Sequence, residues 1–361
     1  MIELAKKALR IIKKKISKLS SSKEIPDLGF KTKNTDQRIA IIGLGKQGSK
    51  LCRYLNQMDY NVVAVCDISR RKARKIKKEF PKVNIVKNIE SLSEFRIDIC
   101  VIATLAVGRL SIIKRLNNIG IDKILVEKPV TNNMADNSLL KKYVEHKNIR
   151  IEVYHPFLFS KDIQNFKEEI RKLEKGEFLQ AKILFKPAGL GNIGSHAITS
   201  FLYLSDINID EVISSAMHSH PREKRRGKSF SDPNAKVVFS TKRGKKIFLD
   251  NTDLACSMTK IFIEYENLFI NLYNNEKLVV QFKNIKNNDK MFLSKNSINK
   301  HYGRYLAIDQ ALSSLSNFKS HSFHLSIKAV ELIIACHVSH KNSQMVRLPL
   351  NEDTEIIYNF S

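Results

Sequence analysis

The strongest constraint on the fold is an alternation that runs from Arg38 to His155. Short apolar runs (RIAII, NVVAV, IDICVIA, DKILV and IRIEVYH) are separated by stretches with helical spacing (KQGSKLCRYLNQM, RRKARKIKKEF, GRLSIIKRLNNI and MADNSLLKKYVEHK). A strand that is apolar throughout is buried on both faces, and a helix between two such strands is the crossover that a parallel sheet requires. The repeat predicts one doubly wound α/β domain over residues 38–155. The pattern then changes. FLQAKILF, AKVVFST, KKIFLD, KIFIEYENLFINLY and KLVVQF follow one another through turns such as KRGKK and YNNEK. Residues 156–361 are therefore expected to form a second α/β domain with an open, largely antiparallel sheet and one long late helix, SFHLSIKAVELIIACHVSH. Residues 1–37 stand apart. Leu4, Ala5, Ala8, Leu9, Ile12, Ile16 and Leu19 recur at helical spacing opposite a lysine-rich face, and a linker with Ser, Pro and Gly follows. Such a helix suits either an anionic membrane surface or the protein's own flank.

The turn after the first strand carries the most specific chemistry. IAIIGLGKQGSK places Gly43, Gly45 and Gly48 between a strand and a helix, with Lys46 and Gln47 in the same turn. In that context each glycine has a task. Gly43 makes the tight turn, Gly45 lets a pyrophosphate reach the backbone, and Gly48 lets helix and strand pack closely. The helix N-terminus offers N–H groups and partial positive charge to the phosphates. Asp67 ends the second strand and is placed to accept hydrogen bonds from a ribose diol. The domain thus reads as a Rossmann dinucleotide-binding domain. A carboxylate there favours NAD, while Arg70 and Arg71 close by keep NADP open. The expected cofactor-binding residues here are Gly43, Gly45, Lys46, Gln47, Gly48, Asp67 and Arg70. A different question is posed where DKILV runs into Glu127, Lys128 and Pro129. Proline ends a strand because it lacks an N–H. On the residues alone, Lys128 is either a solvated lip residue or a side chain directed into a cleft.

The net charge of +26 suits anionic ligands. The lysines are spread over the whole chain, and no nucleic-acid motif or basic–aromatic run accompanies them, so nucleic acid is not an expected partner. No apolar run in the sequence approaches the roughly 20 residues of a membrane span. Contact through residues 1–20 would be peripheral. Cys52, Cys66, Cys100, Cys256 and Cys336 form no CxxC pair, which suits a reducing, cytoplasmic setting. Cys336, His337 and His340 invite a metal reading, but neighbours on a helix point to different faces, so no metal site is expected.

The segments IAIIGLGKQG, VVAVCDIS, CVIATLAVG, ILVEKPV and GNIGSHAITSFLYL resemble, in order and spacing, the glucose–fructose oxidoreductase, inositol dehydrogenase and MocA family (Gfo/Idh/MocA). The resemblance covers residues 38 to about 350, and EKP is its most specific element. It implies reversible hydride transfer between a nicotinamide and a sugar or polyol carbon. It also implies a homo-oligomer formed through the C-terminal sheet. It adds Thr104, Glu127 and Lys128 to the cofactor-binding set, placing Lys128 beside the nicotinamide, with Pro129 expected to follow a cis bond. It makes His196 a general acid/base and Asn192 its partner, standing where many members carry Asp. On one helix, that spacing of four would put both on the same face. Catalysis is thus expected from Lys128, His196 and Asn192, with Lys128, Tyr154, His155, Asn192 and His196 contacting substrate. NIGSH resembles the form found in nucleotide-sugar members, which implies a nucleotide-sugar substrate and surface-polysaccharide assembly. Leu105, Arg109 and Thr199 depart from the family pattern. They leave a second reading, a dinucleotide-binding regulatory or scaffold protein on the same fold.

Overall fold

The structure, a computed structural model, describes residues 36–219, 232–273, 277–282, 290–294, 300–316 and 322–354. The amphipathic N-terminal stretch and the basic loop HPREKRRGKS lie outside these residues. The chain forms two compact units. Among the described residues, one holds 36–104 together with 118–121, and the other holds 105–117 and those from 122 onward.

In the first unit, β1 (Ile39–Ile42), β2 (Val62–Cys66), β3 (Asn84–Val86) and β4 (Ile99–Ile102) lie parallel in the order β3-β2-β1-β4. Every residue of β1, β2 and β4 is buried, as a sheet covered on both faces demands. Helix α1 (Lys46–Gln57) turns Leu51, Cys52, Tyr54 and Leu55 inward. Helix α2 (Arg70–Glu79) buries only Ala73 and Ile76 and leaves its basic face in solvent. Strand β3 carries no readable signal in the sequence, because two of its three residues are exposed.

In the second unit, α3 (Arg109–Asn118) precedes β5 (Lys123–Glu127), α4 (Met134–Lys147) and β6 (Arg150–Tyr154), and β5 pairs with β6 in parallel. Helix α4 starts where Asn133 caps it, its side chain accepting the Asp136 N–H at 2.7 Å. Then follow α5 (Lys161–Arg171), β7 (Phe178–Leu184), a π-helical turn (Leu190–Gly194), α6 (Ser195–Ser205), β8 (Glu211–His218) and β9 (Asn234–Ser240). The unit continues with β10 (Lys246–Asp250), β11 (Lys260–Tyr265), β12 (Leu268–Tyr273), β13 (Lys277–Phe282), β14 (Lys290–Ser294), α7 (Lys300–Ser314), α8 (Ser322–Asn342) and β15 (Val346–Arg347). The strands form a nine-stranded sheet, β14-β13-β12-β11-β7-β10-β9-β8-β15. It is not the simple antiparallel meander that the sequence suggests, because β10 lies parallel to β7. Strands β11 and β12 alternate buried and half-buried residues, so one face of the sheet is core. Helix α8 is long and apolar enough to cross a membrane, which the sequence reading did not anticipate, but most of it is buried within this unit. Thirteen of its residues are core, including Cys336 and His337. The fold is thus α/β, with parallel Rossmann strands and a second, mostly antiparallel sheet.

Candidate functional site

The glycine turn joins β1 to α1. Gly43 has φ +91°, and a Cβ there would meet the Thr104 amide nitrogen at 2.8 Å. A Cβ on Gly48 would come within 1.8 Å of the Gly43 carbonyl oxygen. These two glycines are therefore required by the protein's own packing. Gly45 differs, since nothing lies within 4 Å of where its Cβ would be. It is the N-cap of α1, whose first turn carries no acidic residue. Open space over a glycine at a helix N-terminus suits a phosphate pressed against backbone. Lys46, Gln47 and Arg70 are exposed, and Thr104 is half-buried. Asp67 accepts the amide of Leu44 at 2.5 Å and that of Ser69 at 2.7 Å. Its carboxylate thus locks the end of β2 onto the glycine turn. Each carboxylate oxygen has two lone pairs, so this lock is compatible with ribose hydroxyls as further donors. These residues fit a dinucleotide.

In the second unit the EKP segment leaves β5. The Lys128–Pro129 bond is cis. Arg109, 1% exposed, donates through its guanidinium to the carbonyls of Glu127 and Pro129, on either side of Lys128. Burial pushes this guanidinium down to about 10, so it stays charged at neutral pH. Arg109 is one of the departures from the family pattern. Here it is a strut beneath the lysine turn.

The Lys128 ammonium donates to the backbone and side-chain oxygens of Asn192, each at 2.8 Å. Asn192 lies in the π-helical turn before α6, so it and His196 do not share one α-helical face as the spacing suggests. The turn is held by Asp232, a buried carboxylate just before β9. Asp232 accepts the amides of Gly191 at 2.6 Å and Asn192 at 2.9 Å. Gly189, at φ +92°, packs so closely that a Cβ would lie 2.2 Å from that carboxylate. The acid absent at position 192 is therefore present behind the loop, oriented toward backbone.

His196, in the first turn of α6, meets His155 at the end of β6. Their Nδ1 atoms are 3.0 Å apart, with the rings edge to face. Nε2 of His155 lies 3.0 Å from the Ser326 hydroxyl, which donates to the Ser322 carbonyl at 2.6 Å. The Ser322 hydroxyl donates to Glu152 and accepts the Val153 amide. His155 is 2% exposed. Burial first, and then the charge of Lys128, pushes its imidazole down to about 3, so it is neutral at ordinary pH. Both of its ring nitrogens are engaged within the protein, by His196 and Ser326. Tyr154 is half-buried and its ring stacks near Phe159. Thr199 is fully buried, with its hydroxyl returned to the Ser195 carbonyl at 2.6 Å. Leu105 is exposed. Among the described residues no cluster of three or more His, Cys, Asp or Glu side chains is arranged to hold a metal ion.

The structure thus brings Lys128, Asn192, His155 and His196 into one neighbourhood of the second unit. The sequence reading did not include Asp232, Ser322, Ser326 or Glu152. Asp232, Ser322 and Ser326 lie 36 or more positions after His196, and Glu152 lies 44 positions before it. Only folding joins them to it.

A parallel sheet with a glycine turn at a helix N-terminus defines a dinucleotide-binding fold. The family can be given more closely. Residues 37–155 match the GFO_IDH_MocA model, described as "Oxidoreductase family, NAD-binding Rossmann fold". That stretch is similar to the NAD-binding domain of this oxidoreductase family. Solved structures share the fold over most of the chain. Levoglucosan dehydrogenase in complex with NADH and levoglucosan is 15% identical with a TM-score of 0.72, covering 87% of this chain and 100% of that one. An oxidoreductase from Agrobacterium radiobacter, in complex with NAD+, L-tartaric acid and magnesium, is 16% identical at TM-score 0.71, covering 87% and 98%. GenD2 from gentamicin A biosynthesis, in complex with NAD, is 13% identical at TM-score 0.68, covering 91% and 100%. No curated protein matches the chain.

Proposed function

We propose that this protein is a cytoplasmic NAD-dependent dehydrogenase acting on a hydroxyl of a sugar or nucleotide sugar. The observation that carries the reading is the pairing of Lys128 with Asn192 four residues before His196, in a chain whose other unit has the dinucleotide turn. The bound nicotinamide would supply or accept the hydride. The chain's own groups would handle the oxygen. The Lys128 ammonium hydrogen-bonds the reacting oxygen and stabilises negative charge developing on it, and His196 takes or returns the hydroxyl proton. Asn192 orients the ammonium. Asp67 favours NAD, because a carboxylate at the ribose repels a 2′-phosphate. The positive net charge suits an anionic, nucleotide-linked substrate and a role in surface-polysaccharide assembly. The outer face of the nine-stranded sheet would pair with a second copy.

The amide at position 192 supports a second reading, a dinucleotide-binding regulator without turnover. Nicotinamide absorbance separates the two. Purified protein is given NAD or NADP and a panel of free and nucleotide-linked sugars. Reduction of NAD by one compound, lost in Lys128→Ala while NADH still binds, is the expected result. Silence across the panel with NADH bound would overturn the dehydrogenase reading.

A further inference from the structure

We infer that His155 is a positioning residue that fixes the tautomer of His196, through a one-way hydrogen-bond chain from the Ser322 carbonyl, so that Nε2 of His196 carries the lone pair that receives the substrate's proton. The inference rests on the dehydrogenase reading for its catalytic consequence, but not for the proton positions.

The direction of the chain follows from its last member. A carbonyl oxygen only accepts, so the 2.6 Å contact at Ser322 requires the Ser326 hydroxyl proton. A serine has one such proton. Ser326 must then accept from Nε2 of His155, 3.0 Å away, and Nε2 carries hydrogen. His155 is buried, with the Lys128 ammonium acting on it, and both effects oppose a second proton. Its Nδ1 is therefore bare and can only accept. The 3.0 Å contact between the two Nδ1 atoms then requires that His196 be the donor. A neutral His196 protonated at Nδ1 has its lone pair at Nε2. The Lys128 ammonium is the charge that acts on His155. The Glu152 carboxylate accepts from the Ser322 hydroxyl.

In the oxidation direction the substrate C–H bond breaks with its electron pair going to the nicotinamide, and the O–H proton goes to Nε2 of His196. The neutral His155 continues to accept from Nδ1. A histidine in this place performs the orienting task that a carboxylate performs in many proton-transfer sites, without adding negative charge beside the lysine.

The test reads imidazole nitrogens directly. Full-length protein labelled with 15N-histidine is examined at neutral pH by two-bond 1H–15N correlation, and a His155→Asn spectrum assigns the pair. His155 is expected as the Nε2–H tautomer and His196 as the Nδ1–H tautomer. In Ser326→Ala the His196 pattern should shift toward a mixture. An Nε2–H His196 in the wild type, or no change in Ser326→Ala, would overturn the inference. Turnover gives a second readout. The Asn amide oxygen can stand in for Nδ1 as acceptor, so His155→Asn should retain more kcat than His155→Phe by about tenfold or more, with KM changed less than about twofold. Equal kcat values in two folded variants would also overturn it. If no sugar is oxidised by the wild type, the dehydrogenase reading fails, while the nitrogen spectra still decide the relay.

Discussion

Gly45 and Gly48 separate cofactor approach from packing within a single turn of chain. A Cβ on Gly48 would lie 1.8 Å from the Gly43 carbonyl oxygen and 3.0 Å from both the Gly43 carbonyl carbon and Ala103 Cβ. Ordinary contact begins near 3.4 Å, so α1 would have to retreat by about 1.6 Å. The obstructing atoms are backbone at the end of a fully buried strand and cannot rotate aside. Gly48→Ala should therefore cost about 3 kcal/mol, the upper end of the overpacking range, and weaken NADH binding as the turn deforms. Gly45→Ala should behave differently. The added methyl meets nothing within 4 Å, and φ is −65°. Losing glycine at the N-cap costs about 0.5 kcal/mol, and a stiffer unfolded chain returns about as much. The net change should stay within about 0.5 kcal/mol. The methyl does fill the space where a pyrophosphate meets backbone, so NADH affinity should fall by about tenfold or more, at 1.4 kcal/mol per factor of ten. Urea unfolding reads the first quantity and NADH fluorescence titration the second. A wild-type unfolding midpoint for Gly48→Ala would refute the packing argument. Wild-type NADH affinity for Gly45→Ala would refute the placement of the phosphates.

Arg109→Met removes the guanidinium that holds the Glu127 and Pro129 carbonyls, and should cost about 2–4 kcal/mol in urea unfolding. It should also lower turnover, because the turn beneath Lys128 loosens. Asp67→Ala should weaken NAD binding and reduce the preference for NAD over NADP by about tenfold, read by titration with each reduced cofactor. For pH, burial pushes the imidazoles of both His155 and His337 down to about 3. Their folded pKa values lie below the unfolded one near 6.5, so the stability they carry is complete above about pH 6.5. It is lost as pH falls toward 3, by up to about 1.4 kcal/mol per pH unit for each histidine. Urea unfolding between pH 7 and pH 5 should show this slope, and His337→Leu should remove its own share.

Residues whose partners are near in sequence could be read from the chain. The glycine turn and the buried strands β1, β2, β4, β5 and β6 belong to that class, whereas the cis bond after Lys128 was expected from the family resemblance. Strand β3 was hidden because it buries a single residue. The parallel β7–β10 pair was hidden because register is set by tertiary packing rather than by local pattern. At the site, Lys128, Asn192 and His196 were expected from the family resemblance rather than from their chemistry alone. Arg109 was read only as a departure from the family pattern, and it is buried, holding the carbonyls on either side of Lys128. Asp232 had no signal, since its task is to accept two amides 40 residues earlier in the chain. Ser326 lies 171 residues from the histidine it touches, and a serine in an apolar helix carries no mark of that duty.

The Asp232 arrangement has a consequence for chemical complementation. Two successive amides converging on one acceptor form a receptor for a small anion, and here the anion is tethered to the chain itself. Shortening the tether, as in Asp232→Gly, would empty the receptor without altering the amides that line it. Formate or acetate in the buffer should then occupy it and restore the Asn192 turn. Chloride, with one centre in place of two oxygens, should do so less well.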